Sequence, residues 1–226
     1  MPFIMKKIIL LFVLVFDVLA VNAQNDVTQF LGIPVDGSKS EMIRKIKSKG
    51  FRETSYDKEV LTGEFNGYPV NVYIVTNGNK VYRVMLCDVN PVDERSILIR
   101  FNNLCNQFKS NSKYIPLDDY IISDDEDISY EMKVKNKRYE AVFLQKGQEL
   151  SDTTLLKEKL QPYFETKYTP EQMANPTTEM MSEALTQLFG LFSKRPVWFI
   201  ISEQYGKYYI TMFYDNEYNR ANGEDL

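Results

Sequence analysis

The dipeptide Asn66-Gly67, set between two runs of alternating apolar and polar residues, constrains this chain more than any other local feature. Asn-Gly adopts the left-handed pair of conformations that lets a two-residue turn follow the twist of its strands. Residues 60–65 and 68–76 therefore read as a hairpin, with Leu61 opposite Val72 and Gly63 opposite Val70. Asn77-Gly78-Asn79 then leads into residues 80–87. A three-residue loop sets Ile74 opposite Tyr82, Val72 opposite Val84 and Val70 opposite Leu86, which keeps one face apolar. A two-residue Asn-Gly loop would set Val72 against Arg83 and is rejected on that ground. Tyr205-Gly206 joins residues 197–204 to 207–214, pairing Ile201 with Ile210, Phe199 with Met212, Trp198 with Phe213 and Ser202 with Tyr209. A further hairpin is expected from residues 128–134 and 137–144. Ile128, Tyr130, Met132 and Val134 alternate with Ser129, Glu131 and Lys133, and the return strand carries Tyr139, Ala141 and Phe143.

Between these strands the apolar period changes to that of helices. Ser38 with Glu41 forms a capping-box signal ahead of Met42, Ile43 and Ile46, and Lys49-Gly50 ends that helix. Residues 92–109 carry Ile97, Phe101, Leu104, Cys105 and Phe108 on one stripe. Ser151 is placed to cap a short helix to Leu160, stopped by Pro162. Asn175-Pro176 opens a third main helix with the stripe Met181, Ala184, Leu185, Leu188 and Phe192.

Single-striped helices and period-two strands imply two layers, an α+β fold in which helices pack on one face of a mostly antiparallel β-sheet. The order also admits two related helix/meander modules. Residues 1–23 read as a signal peptide, 24–36 as an extended lead-in and 37–113 as helix, antiparallel meander and helix. Residues 114–214 read as a second α+β half continuing the sheet, and 215–226 as a flexible tail. A helix ending in Lys49-Gly50-Phe51, followed by a meander with the turn Gly78 to Val81, resembles the modules of β-lactamase-inhibitory-protein-like folds and of small bacterial envelope assembly factors. The chain as a whole, with its Ala23-Gln24 junction, is similar to secreted proteins of Bacteroidetes. What that resemblance implies is an open sheet face with aromatics that binds a partner protein; it carries over no individual binding residue.

Lys6-Lys7, the apolar run 8–19 and Val21-Asn22-Ala23 have the form of a cleavable signal, with cleavage before Gln24. About 12 apolar residues are too few to span a bilayer, so no membrane span is expected after cleavage, and the protein is expected to be periplasmic or extracellular. The 226 residues contain no histidine, which excludes Ser-His-Asp, Cys-His and His-Glu-x-x-His chemistry. Two cysteines cannot hold a structural zinc, and no cofactor fingerprint is present. The net charge of −4 and lack of a basic stripe argue against nucleic acid.

The open face of the sheet is the candidate site. On the last hairpin it carries Trp198, Ile200, Tyr209 and Phe213, and on the meander Tyr73, Arg83 and Met85. Aromatics, Met and Arg are the residues enriched in interface cores. The bland alternative is that residues 145–176 pack over this face. The expected function is thus non-enzymatic binding of an envelope protein, with glycan binding or a carboxylate-based hydrolase as the alternative. Cys87 points away from the helices and Cys105 toward them, which opposes a bridge. Asp124-Asp125-Glu126-Asp127, near Asp118 and Asp119, lacks the spacing and glycine of an EF-hand and reads as a solvated loop. Ser110 and Lys113 match Ser-x-x-Lys by chance, since neither companion motif follows.

Overall fold

Paired left-handed residues close the tight turns of this protein, and the strands follow from them. A computed structural model describes residues 27–147 and 153–221, leaving aside the side chains of 153–159, 188, 191 and 192. The expected signal peptide, residues 24–26 and the expected cap Ser151 therefore lie outside the described residues, as do the side chains of Leu188 and Phe192. Strands β1 (Gln29–Phe30) and β2 (Ile33–Pro34) form a small hairpin of their own within the expected lead-in. Helix α1 (Lys39–Lys47) follows, with the Ser38 side chain accepting from the Glu41 amide and Met42 and Ile46 buried. Then come β3 (Arg52–Glu53), β4 (Leu61–Phe65), β5 (Tyr68–Asn77) and β6 (Lys80–Asp88).

The second half repeats that plan with insertions. Helix α2 (Glu94–Ser110), capped by Asp93, buries Ile97, Phe101, Leu104, Cys105 and Phe108 as its stripe predicts. It is followed by β7 (Tyr114–Pro116), α3 (Ile128–Lys135) and β8 (Glu140–Gln145). Helices α4 (Thr153–Lys167), α5 (Pro170–Ala174) and α6 (Thr178–Phe192) precede β9 (Pro196–Gln204) and β10 (Lys207–Asp215). The eight-stranded antiparallel sheet runs β3-β4-β5-β6-β10-β9-β8-β7. Each half thus fills the sheet from one edge inward, helix first. The halves meet where β6 and β10 pair, Cys87 opposite Thr211 and Arg83 opposite Asp215. The protein is an α+β fold.

The core lies between the sheet and helices α1 and α2. Phe199 stacks on Phe143 at 5.9 Å and meets Phe101 edge-on at 5.2 Å, with Phe108 beside them. A second cluster joins Phe30, Phe51, Phe65 and Tyr214. Here Gly63 has a packing reason: the Phe51 ring comes within 2.5 Å of where a Cβ would sit.

Five expectations need correction. Residues 128–134 are not a strand but the body of α3. Asp127 caps it by accepting from the Tyr130 amide, Glu131 and Lys135 pair at i,i+4, and Asn136 closes it in a left-handed conformation. Helical capping at both ends outweighs a seven-residue alternation, and β8 pairs instead with β7 and β9. The β5–β6 turn is the two-residue Gly78-Asn79, so Val72 faces Leu86 and Ile74 faces Val84; a bulge at Val75/Thr76 absorbs the shift and preserves the faces. Pro162 lies inside α4 rather than ending it, and on α6 Met180 is buried while Met181 and Leu185 are exposed. The tail is tied down from Asp215 to Asn219. Asn216 donates to the Val35 carbonyl, and Asn219 donates to the Val81 carbonyl and the Asp36 carboxylate.

Phe199→Ala is expected to lower stability by about 3–5 kcal/mol, since it opens a cavity among four packed rings. A urea melt followed by circular dichroism reads this as a drop in midpoint, and an unchanged midpoint would contradict the packing described.

Candidate functional site

Cross-strand pairing builds the site. Tyr73 lies opposite Met85, Met85 opposite Phe213, Phe213 opposite Trp198, and Trp198 opposite Val142. One row therefore crosses five strands on the face turned away from α1 and α2. Its side chains are half-buried, because each packs on its cross-strand neighbours. The Trp198 and Phe213 rings stack at 3.9 Å with planes 17° apart. The Arg83 guanidinium lies 4.7 Å from the Phe213 centroid and 5.6 Å from that of Trp198, within cation–π range.

Asp215 organises this cluster. Its carboxylate accepts from Arg83 Nε at 2.6 Å and Nη2 at 2.7 Å, a bidentate pair. It also accepts from Trp198 Nε1 at 3.0 Å. The Asp215 side chain is 3% exposed and that of Arg83 21%. Hydrogen bonding to Asp215 raises the Arg83 pKa further, so the guanidinium keeps its charge. The Thr28 hydroxyl donates to the Asp215 main-chain carbonyl, which fixes the strand end from the N-terminal side.

Of the six residues singled out by sequence, the structure brings together Trp198, Phe213, Tyr73, Arg83 and Met85. Tyr209 stands apart on the same face, opposite Ser202 and beyond the rank that holds Cys87, Thr211 and Ile200. Sequence reading missed Val142 and Asp215. Val142 was hidden by the wrong partner assigned to β8, although the burial alternation of Tyr139, Ala141 and Phe143 already put it on this face. Asp215 was read as the start of a loose tail.

Burial, then the neighbouring Tyr56, raises the pKa of Tyr73, and desolvation raises that of Cys87. Neither group is ionised at neutral pH, so neither offers an anionic nucleophile. Cys87 and Cys105 are free thiols on opposite sides of the sheet; burial, then Asp119, pushes Cys105 up to about 12. The acidic run 124–127 is consumed locally. Asp127 caps α3, Glu126 accepts from Lys137 and from the Tyr139 hydroxyl, and Asp124 meets Arg95. Among the described residues, no group of three His, Cys, Asp or Glu side chains is placed to hold a metal ion. Helices α4–α6 close on one another. Glu183 accepts from Lys167, Tyr168 and Tyr163, in that order of effect, and its carboxyl is held down at about 2. Comparison with protein-family models, with curated proteins and with solved structures returns no match.

Two outcomes follow. Asp215→Asn is expected to destabilise the protein by about 2–3 kcal/mol, because it strands a partly buried guanidinium; the loss is measured by urea unfolding through the emission of Trp198, the only tryptophan. Iodoacetamide at pH 8 is expected to leave both thiols largely unmodified in the folded protein and to label both in urea. Rapid native labelling of Cys105 would contradict its burial.

Proposed function

We propose that the protein is an exported, non-enzymatic interaction module of the bacterial cell envelope, and that the sheet face opposite α1 and α2 engages a protein partner. The observation that carries this reading is the row Tyr73–Met85–Phe213–Trp198–Val142 with Arg83 beside it. It gathers aromatic, Met and Arg side chains, the residue types that dominate interface energetics. Asp215 already fixes Arg83 and Trp198, which lowers the ordering entropy that binding must overcome. Export rests on the signal-like pattern of residues 1–23.

The test is affinity capture on envelope extract and on intact polysaccharides, with wild type beside the triple variant Trp198→Ala/Tyr209→Ala/Phe213→Ala. A second pair, Tyr73→Ala and Met85→Ala, disturbs the packing less. Hot-spot truncations of about 2 kcal/mol each predict at least a hundredfold weaker capture of the protein partner by the folded triple variant. Partner capture that survives both sets sinks this reading. Retention of polysaccharide alone replaces it with glycan binding.

A further inference from the structure

At the end of the sheet where β10 finishes, a cleft of about 660 Å³ opens between β1, the chain after α2, and the residues that follow β8. This volume lies within the range of small-ligand sites. Among the described residues its lining includes Lys113, Lys146 and Arg195, the last of these already engaged by a partner, and no Asp or Glu, in a chain whose net charge is −4. Lys113 and Lys146 are exposed at its rim and make no ion pair among the described residues. Arg195 is 1% exposed. The C-terminus of α2 lies on the same side and opposes an anion with roughly half an elementary charge, against the full charges of the lysines. Phe65 and Leu31 supply apolar wall.

One more donor lies at the cleft wall. Gln145 Nε2 donates to the Gln29 carbonyl at 3.0 Å and to Tyr114 Oη at 3.3 Å, while its Oε1 accepts from the Gln29 amide. Tyr214 is 3% exposed and lines the cleft with Tyr114. Tyr114 Oη accepts from Gln145, so its own hydroxyl proton is not used in that bond and the residue brings it to the cleft wall.

We propose that this cleft binds a small organic anion, its carboxylate or phosphate head held by Lys113, Lys146 and the Tyr114 hydroxyl and its apolar body lying against Phe65 and Leu31. The site is separate from the aromatic face and does not depend on that reading. Amide NMR titrations with sodium decanoate and with phenyl phosphate test it, with decanol as the neutral control. At least one anion is expected to saturate and to shift Gly32, Lys146 and Gly147, and which one does so assigns the head group. Lys113→Gln/Lys146→Gln is expected to weaken that binding at least tenfold. Both lysines are exposed, so its melting temperature should match wild type and report an intact fold. Failure of both anions to saturate overturns the proposal. So does equal affinity for decanol, equal affinity in the double variant, or a response confined to the apolar groove around Phe164, Met173 and Met181.

Discussion

The pairing of β6 with β10 is the joint on which the rest of the molecule depends. Without it, each half is a four-stranded sheet with one main helix against its core face, α1 or α2, a core too small to leave much net stability. Two bidentate ion pairs fix that joint, one on each face. Toward the helices, Arg100 of α2 donates to Asp88 through Nε at 2.8 Å and Nη2 at 2.5 Å, and lies 3.4 Å from the Tyr68 ring centroid. The same Asp88 carboxylate accepts from the Ile210 amide, so it also binds the neighbouring strand. On the other face Arg83 and Asp215 do the equivalent at the opposite end of the seam. A buried charge without its partner is expensive, whereas an apolar pair would tolerate slippage. The two pairs therefore define register as much as they add stability.

How much of this was legible in the sequence depends on how local each interaction is. Asn66-Gly67 and Tyr205-Gly206 specify turn and register together, and every pair expected across those turns is present. The stripe Ile97–Phe108 was equally readable, because one helix face meets one sheet. The β8–β9 and β6–β10 neighbours had no turn between them to announce them. Residues 128–134 show the opposite limit. Their alternation was real, but Asp127 and Asn136 are capping residues, and over seven positions caps decide what period cannot. On α6 two residues of the expected stripe, Met181 and Leu185, are exposed, and that helix meets α4 through Glu183.

The same logic explains why the candidate face was found and its organiser was not. Face parity follows from period two, so Trp198, Phe213, Tyr73, Arg83 and Met85 fell on one side even though the β5–β6 register was two residues off. A bulge moved partners without flipping faces. Asp215 carried no such signal. It stands at the head of a polar stretch, and its role depends on Arg83, 132 residues earlier, and on Trp198 across a hairpin. Asn216 and Asn219 are similar: their side chains satisfy carbonyls of Val35 and Val81, far away in sequence.

The end of β10 serves both candidate surfaces at once. Tyr214 and Asp215 are adjacent, so strand alternation sends them to opposite sides. Tyr214 packs into the Phe30 cluster and lines the cleft, while Asp215 holds Arg83 and Trp198 on the aromatic face. Thr28 binds the carbonyl of Asp215, and Val27 beside it lines the cleft. A substitution at either position therefore acts on stability as well as on a surface. Lys113 and Lys146 at the cleft are exposed, and Tyr73 and Met85 on the face pack on their cross-strand neighbours, so substitutions at these positions separate binding from folding best.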